Sequence, residues 1–160
     1  MAIYLVRHGT AGSRPFPHGD DLQRPLDQRG RAQAEDLALH FADFELRAVW
    51  SSTATRCFDT VKPTALAHGL QVQIRNELTE GSPPATLTEL VRSEAHLDGD
   101  VVMCSHGDLI PKVINTLLRD GMSMVGPRGC EKGSIWILDT KGRDIVRATY
   151  LAQPGLNQTK

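Results

Sequence analysis

The apolar runs of this chain are short and stand apart from one another, which is the pattern of buried strands separated by helices. Residues 2–6 (AIYLV), 46–50 (LRAVW) and 101–104 (VVMC) each end abruptly at polar or charged residues. Such runs are typical of strands in a parallel sheet that is covered on both faces. Weaker apolar segments predict three further strands, at residues 71–74, 134–138 and 144–150.

Helical segments fill the intervals between these strands. Helices are predicted for residues 28–42, 53–67 and 85–97, and the stripe of apolar residues over 109–118 is the strongest helical signal. Pro63 predicts a break or kink in the second of these helices. Strands that alternate with helices predict an α/β fold, a three-layer α/β/α sandwich around a mostly parallel central sheet.

Length and composition indicate one domain without a special partner. The 160 residues predict a single domain over 1–152, with 153–160 as a flexible tail. A formal net charge of -1 gives no reason to expect binding to nucleic acid or to an anionic membrane. No apolar run approaches the roughly 20 residues of a membrane span, and the first residues do not resemble a signal peptide.

Cysteine and histidine spacing argues against metal and disulfide chemistry. The 3 cysteines form no CxxC pair, and no histidine pair has the spacing of zinc ligands. We therefore expect no metal and no cofactor, and a reducing cytoplasmic location. The oligomeric state stays open.

Candidate chemistry gathers where the strands end. His8 follows the first strand and His106 follows the fourth, and each precedes a glycine. Arg7 adjoins the first histidine, and Arg56 follows the second strand. Ligands of such sheets bind at the carboxyl ends of the strands, and guanidinium groups match the geometry of phosphate oxygens. The sequence therefore predicts a pocket for a tetrahedral oxyanion with a histidine at its floor.

A histidine in such a pocket can act as a nucleophile toward phosphorus. The His8 imidazole would carry the phosphoryl group, while the arginines and His106 stabilise charge on the equatorial oxygens. The attacking nitrogen must be unprotonated, and the other ring nitrogen needs a hydrogen-bond acceptor that fixes the tautomer. The sequence does not identify that acceptor.

Four segments resemble the histidine phosphatase superfamily, also called phosphoglycerate mutase-like, and with the order of elements they cover almost the whole chain. They are residues 5–12 (LVRHGTAG), 51–56 (SSTATR), 78–80 (LTE) and 104–110 (CSHGDLI). The resemblance implies that His8 is the phosphoryl-accepting nucleophile. It also implies that Arg7, Arg56 and His106 form the rest of the phosphate pocket, with Gly107 at its edge.

Within that superfamily the chain is most similar to the short SixA-type phosphohistidine phosphatases. Residues 24–26 (RPL) match a segment of that branch and imply that Arg24 is a further phosphate-binding cation. Residues 9–14, 24–35 and 132–136 also resemble the phosphatase half of Nudix–phosphatase fusion proteins. The second resemblance keeps nucleotide substrates open.

Glu80 divides the functional hypotheses. The segment 78–80 matches the position from which many phosphomonoesterases of the superfamily supply a general acid, with Glu77 as the weaker match. An alkoxide leaving group gains from such an acid, whereas the imidazole of a phosphohistidine leaves without one. The short segment over 76–85 leaves the pocket poorly roofed, which would admit a phosphorylated protein and is also compatible with a small phosphate ester. Lys132, in a loop before a strand, is a further residue that could approach the substrate.

The first hypothesis is a metal-independent phosphatase that acts through His8 as a SixA-like protein phosphohistidine phosphatase. The second is a small-molecule or nucleotide phosphomonoesterase that uses Glu80 as its general acid. The third is a catalytically silent phosphate-binding protein. The expected partner is accordingly a phosphorylated protein or a small phosphorylated substrate.

Overall fold

A seven-stranded sheet forms the centre of the molecule in the computed structural model, which describes residues 1–154. The strands are β1 (Ala2–Arg7), β2 (Leu46–Ser51), β3 (Val72–Ile74), β4 (Asp100–Ser105), β5 (Ser123–Val125), β6 (Ile135–Lys141) and β7 (Asp144–Leu151). The helices are α1 (Gln28–His40), α2 (Thr55–Ala67), α3 (Pro84–Glu94) and α4 (Ile110–Arg119). Most of the tail predicted for 153–160 lies outside the described residues.

The strand order is β3-β2-β4-β1-β6-β7-β5. β3, β2, β4 and β1 run parallel to their neighbours, and β6 then pairs antiparallel with both β1 and β7. β5 returns to a parallel pairing with β7 at the far edge. The prediction of an α/β fold with a mostly parallel sheet is therefore confirmed.

Each face of the sheet carries its own apolar core, because successive strand residues point to opposite sides. Ile3 and Leu5 of β1 join the core beneath α3 and α4. Tyr4 and Val6 of the same strand join the core beneath α1 and α2. The two cores make the three layers that the alternation of strands and helices predicts.

One local expectation, a break at Pro63, is wrong, and one strand was not predicted. Pro63 does not break α2, which continues to Ala67. Cys57, Val61 and Ala65 are buried on one face of this helix, and the burial of that stripe outweighs the single hydrogen bond that the proline removes. The strand β5 was not predicted, because its three residues are all exposed at the sheet edge and show no alternation.

The register of the two central strands brings the two sequence-predicted histidines to one edge of the sheet. β1 and β4 are parallel, and Arg7 is paired with Ser105. His8 and His106 therefore follow neighbouring strands at the same level. The backbone N–H of His8 donates to the carbonyl of Ser105 at 3.2 Å, which fixes the first histidine against the strand that precedes the second. Among residues 1–154, no helix is long and apolar enough to cross a membrane.

Candidate active site

His8 is buried, and its ring is held by a neighbouring carbonyl group. The Nδ1 atom lies 2.7 Å from the carbonyl oxygen of Gly9. A carbonyl oxygen can only accept, so Nδ1 carries the hydrogen and Nε2 keeps its lone pair. The Gly9 carbonyl is thus the acceptor that the sequence leaves unidentified.

The surroundings of His8 keep its ring neutral. The pKa of His8 is lowered to about 3, and burial is the main cause. The Gly9 hydrogen bond raises this pKa, whereas the charges of His106, Arg56 and Arg7 lower it further. A neutral ring is the form that a nucleophile requires. The side chain is only 4% exposed, so water does not compensate for the lost hydration of a charged ring.

Hydrogen bonds tie the loop after β1 to α2. The backbone N–H of Gly9 donates to the hydroxyl of Thr60 at 2.9 Å, and that hydroxyl donates to the carbonyl of Arg56 at 2.6 Å. Thr60 is buried, so these bonds are shielded from competing water. The position of the His8 ring is therefore fixed relative to the helix that carries Arg56.

Arg7 lies directly beside Gly107. Its Nη1 atom donates to the carbonyl of Cys130 at 2.6 Å. A Cβ atom on Gly107 would lie 2.8 Å from the Cζ atom of Arg7, closer than real Cβ contacts allow. Glycine at this position therefore lets the guanidinium group pack against the loop that follows β4.

Arg56 is fully buried on the first turn of α2. Its Nη1 atom donates to the carbonyl of Asp21 at 2.9 Å, and its Nη2 atom donates to Glu80 Oε2 at 3.0 Å. The Asp21 carboxylate lies 3.3 Å from the same Nη2 atom. Arg56 therefore connects the long loop after β1 to the segment that carries Glu80.

Two buried guanidinium nitrogens have no hydrogen-bond partner within residues 1–154. They are the Nε atoms of Arg7 and Arg56. A buried donor without an acceptor costs about 1–3 kcal/mol, and more when the group is charged. Such donors favour an anionic ligand that can accept from them.

Arg24 is buried within the loop after β1. Its Nε atom donates to Asp21 at 3.0 Å, and its Nη1 atom donates to the carbonyl of Gly12 at 2.7 Å. Burial raises the pKa of the Asp21 carboxyl, but the hydrogen bond from Arg24 and the charges of Arg56, Arg24 and Arg14 bring it below its usual value. An ionised Asp21 thus joins the arginines of this loop.

His106 lies beside His8, and the ring centroids are 5.3 Å apart. Its Nε2 atom is 2.9 Å from the hydroxyl of Ser52 and 3.4 Å from the sulfur of Cys57. The backbone N–H of Ala54 donates to the same Ser52 oxygen at 3.2 Å. The Nδ1 atom of His106 is buried and has no hydrogen-bond partner among the described residues.

These side chains surround a polar pocket of about 480 Å³ at the carboxyl edge of the sheet. Five of the sequence-predicted residues line it: Arg7, His8, Arg24, Glu80 and Gly107. The other two are close by, since Arg56 contacts Glu80 and the ring centroid of His106 lies 5.3 Å from that of His8. The structure therefore brings all seven predicted site residues together.

The pocket also contains charged residues that the sequence analysis missed. Arg14 donates to Glu80 Oε1 at 3.2 Å and lies 3.4 Å from Asp21. Asp108 accepts from the backbone N–H of Gly81 at 3.0 Å, which holds the segment next to Glu80. Arg14 lies inside a stretch that supported one family resemblance, but no periodicity marks it. Asp108 follows the His106 motif and gave no separate signal.

An α/β sandwich with arginines and histidines at the carboxyl edge of its parallel strands defines a class of proteins that bind oxyanions. The chain belongs to a particular family of that class, the histidine phosphatase superfamily. The sequence model of this family (branch 1) matches residues 3–83, which is just over half of the chain. The resemblance of the sequence motifs to this superfamily is confirmed.

One curated relative is the 8-oxo-(d)GTP phosphatase of Mycolicibacterium smegmatis. It is 36% identical over 157 residues, which cover 95% of this chain and 48% of the relative. The chain therefore spans about half the length of that protein.

Solved structures share the fold at low sequence identity. The protein histidine phosphatase SixA in complex with tungstate has a TM-score of 0.76 and 19% identity, with 99% of this chain and 100% of that chain covered. A mycobacterial glucosyl-3-phosphoglycerate phosphatase has a TM-score of 0.68 and 18% identity, with 96% and 98% covered. At these identities the likeness is one of fold alone.

Proposed function

We propose that this protein is a phosphatase that transfers a phosphoryl group to Nε2 of His8 and then to water. The observation that carries the proposal is the hydrogen bond from His8 Nδ1 to the carbonyl of Gly9 at 2.7 Å. It leaves the lone pair of Nε2 free, and this nitrogen belongs to a ring in a pocket lined by arginines. A fixed tautomer and a cationic pocket are what nucleophilic attack on phosphorus requires.

In the first step, the Nε2 lone pair attacks phosphorus while the bond from phosphorus to the leaving oxygen breaks. Glu80 pairs with Arg14 and Arg56 as a carboxylate in the free protein, and we propose that it takes up a proton from solvent when the substrate phosphate takes over its contact with Arg56. The leaving oxygen then takes that proton, and Glu80 becomes a carboxylate again. Arg7 and Arg56 donate to the equatorial oxygens, and their unpartnered Nε atoms are the donors available for this task. His106 donates from the side opposite Ser52.

In the second step, water attacks the phosphorus of the phosphohistidine. Glu80 takes a proton from that water, the phosphorus–nitrogen bond breaks, and the electron pair returns to His8 Nε2. Inorganic phosphate leaves, and Glu80 is again a carboxylic acid. Because arginine and histidine side chains supply the positive charge, the proposal includes no metal ion and no cofactor.

The place of Glu80 favours a phosphate ester or anhydride as the substrate. Glu80 lines the same pocket as His8 and is held at 3.0 Å by Arg56, which supports its carboxyl group as the proton donor to an oxygen leaving group. The relative in Mycolicibacterium smegmatis is named for a nucleotide substrate, which supports a small phosphorylated molecule.

A second candidate is the hydrolysis of phosphohistidine on a protein, which the sequence motifs put first. It is supported by the match of fold and length to SixA. The segment between Asn76 and Pro84 is short, with one 3-10 turn at Asn76–Leu78, and leaves the pocket accessible to a protein side chain. In this reaction Glu80 would have no leaving group to protonate.

The test compares wild-type protein with His8→Ala in the presence of EDTA, with p-nitrophenyl phosphate, a nucleotide and a phosphohistidine peptide. We expect turnover by the wild type and a loss of at least about 10³-fold in the variant, since the nucleophile is removed. The exposed His96 provides the matched control, and His96→Ala should keep full activity.

Rapid acid or base quench of a reaction with ³²P-labelled substrate supplies a second readout. We expect label that is stable to base and labile to acid on wild-type protein and none on His8→Ala. Undiminished turnover or undiminished labelling in the variant would contradict the role of His8. Phosphate binding without any turnover would favour the silent phosphate-binding protein instead.

A further inference from the structure

Lys132 is held by its backbone at a fixed place relative to the proposed nucleophile. The N–H of the next residue, Gly133, donates to the carbonyls of Arg7 and His8, both at 3.1 Å. Gly133 has a φ of +80°, a conformation that favours glycine and forms the turn before β6. The carbonyl of Lys132 itself accepts from Gln33 Nε2 at 3.3 Å. The side chain therefore begins from a rigid position at the pocket.

The ammonium group of Lys132 forms no close ion pair in this part of the chain. Within residues 1–154, no carboxylate lies within 4.0 Å of its ammonium group, whereas Arg14, Arg24 and Arg56 each pair with Asp21 or Glu80. Burial lowers the pKa of Lys132, and the charges of Arg7, Arg24 and Arg14 lower it further, against the opposing effect of the more distant Asp27 carboxylate. A half-buried cation among other cations is stabilised by an anionic ligand.

We propose that Lys132 binds a second phosphate of the substrate, the one joined to the phosphoryl group that His8 accepts. The substrate class is then a phosphoanhydride, such as a nucleoside diphosphate or triphosphate or inorganic pyrophosphate. This inference rests on the proposed function, because an effect of Lys132 on hydrolysis requires that the protein is a phosphatase. Binding of a second phosphate by Lys132 can be measured without turnover.

The chemistry of the leaving group supports a phosphoanhydride. When His8 Nε2 attacks the terminal phosphorus, the bridging bond breaks and its electron pair stays on the departing phosphate. Glu80 supplies a proton to the bridging oxygen, and a cation at the pocket wall stabilises the negative charge on the other oxygens of the departing phosphate. The imidazole of a phosphohistidine and the alcohol of a simple ester carry no such anionic group. A Lys132 ammonium without a carboxylate partner therefore fits a leaving group that is itself a phosphate.

The side chains already assigned to the transferred phosphate leave this role open. Arg56 is fully buried and donates to Glu80, and Arg7 donates to the carbonyl of Cys130. Lys132 lines the same pocket from the loop before β6 and is only partly buried. Arg7 is also partly buried, but its guanidinium group has a carbonyl partner, whereas the Lys132 ammonium has no hydrogen-bond partner among the described residues. Lys132 is therefore the cation at this pocket that can bind the remainder of an extended substrate.

The test uses two non-hydrolysable probes, methylphosphonate and methylenediphosphonate, which differ by one phosphonate group. Isothermal titration of the wild type should show tighter binding of the diphosphonate. Lys132→Met should reduce the ratio of the two dissociation constants by at least about fivefold, and Lys132→Arg should retain most of that ratio. Lys141 lies at the end of β6 that pairs with the start of β1, opposite His8, so Lys141→Met is the matched control and should bind like the wild type.

A kinetic arm identifies the source of the second phosphate. In wild type, Lys132→Met and Lys141→Met, kcat/KM is measured for ADP, pyrophosphate and p-nitrophenyl phosphate. We expect the loss in Lys132→Met to be at least about tenfold larger for ADP or pyrophosphate than for p-nitrophenyl phosphate. Preference for ADP over pyrophosphate would show that the nucleoside also contributes.

The outcomes separate this inference from the proposed function. Equal loss of affinity for both phosphonates would place Lys132 at the transferred phosphate and overturn the inference, as would no loss for either. Turnover through His8 without a diphosphonate advantage would leave the proposed function standing alone. A diphosphonate advantage that Lys132→Met removes, in a protein without turnover, would support the second-phosphate site and contradict the phosphatase. If Lys132→Met lowers the melting temperature, Lys132→Gln provides the same comparison.

Discussion

Arg56 donates from Nη2 to Oε2 of Glu80 at 3.0 Å. The arginine is fully buried, so this contact fixes the carboxyl group of Glu80 at the pocket wall. The same arginine is a proposed phosphate-binding group. Binding of substrate and placement of the proposed acid are therefore linked through one side chain, and a change at either residue should affect both.

The first prediction concerns Glu80→Gln. The amide keeps an acceptor for Arg56 and removes the proton that the leaving oxygen needs. We expect kcat for an alkyl phosphate to fall by about 10²–10³-fold. The loss on p-nitrophenyl phosphate and on a phosphohistidine peptide should stay below about tenfold, because those leaving groups depart more easily. Steady-state kinetics on the three substrates checks this.

Glu77→Gln is the matched control for this experiment. Glu77 precedes Glu80 by three residues and pairs with Arg75 at 3.5 Å, not with Arg56. Its substitution should leave kcat within about twofold of the wild type, as for surface changes in general. An equal loss on all three substrates in Glu80→Gln would argue that this residue only positions Arg56.

The second prediction concerns Gly107→Ala. The new Cβ would lie 2.8 Å from Arg7 Cζ, and the guanidinium group is the flexible end of that side chain and must move. We expect kcat/KM to fall by about tenfold or more, the equivalent of one charged hydrogen bond. The free energy of unfolding should change by less than about 1 kcal/mol, since the displaced group is not part of the core. Kinetics and urea unfolding measure the two effects.

Gly12→Ala is the matched control, because it adds a methyl group to the same pocket without displacing Arg7. Gly12 lines the same pocket, and a Cβ there would meet nothing within 4 Å. Its activity should stay close to that of the wild type. Similar losses in both variants would remove the explanation based on Arg7.

The third prediction concerns Arg24→Ala. Arg24 is 4% exposed and lines the pocket, so its loss should raise the inhibition constant of inorganic phosphate by about tenfold. Arg24→Lys should recover part of the affinity, because it keeps the charge but not the fork geometry. Arg29→Ala, an exposed arginine on the first turn of α1, is the control. An unchanged inhibition constant in Arg24→Ala would take this residue out of the site.

The sequence predicts most of the fold because the strands at its centre are buried on both faces. β1, β2 and β4 appear in the sequence as short apolar runs. Because these strands pair in parallel, His8 and His106 lie at one edge of the sheet, and this position can be predicted without knowing the paths of the loops. β5 gives no such signal, because it pairs on one side only and none of its residues is buried.

Much of the pocket depends on contacts that local patterns do not encode. Asp21 meets Arg56 across 35 residues, and Arg14 meets Glu80 across 66 residues. Both contacts arise from the path of the loop after β1, which is rich in glycine and proline and has no periodicity. The Gly9 carbonyl that fixes His8 is a backbone group, and side-chain motifs do not reveal it. Motif residues could therefore be predicted, whereas their partners required the structure.

The last prediction follows from the lowered pKa of His8, which is about 3 in the folded protein against an ordinary 6.5. As the pH falls below 6.5, the ring of the unfolded chain takes up a proton and the folded ring does not. Protons then favour the unfolded state, so the free energy of unfolding must decrease with falling pH. The contribution of this one group is about 1.4 kcal/mol for each pH unit between roughly 6.5 and 3.

Urea unfolding at pH 6.5, 5.5 and 4.5 measures this effect in wild type and in His8→Asn, which keeps a side chain of similar shape without a titrating ring. We expect the wild type to lose about 2–3 kcal/mol more than the variant over these two pH units. His96→Asn replaces an exposed histidine and should follow the wild type. If wild type and His8→Asn lost stability in parallel, the ring of His8 would have to accept a proton in the folded protein, and the neutral nucleophile would exist only at higher pH.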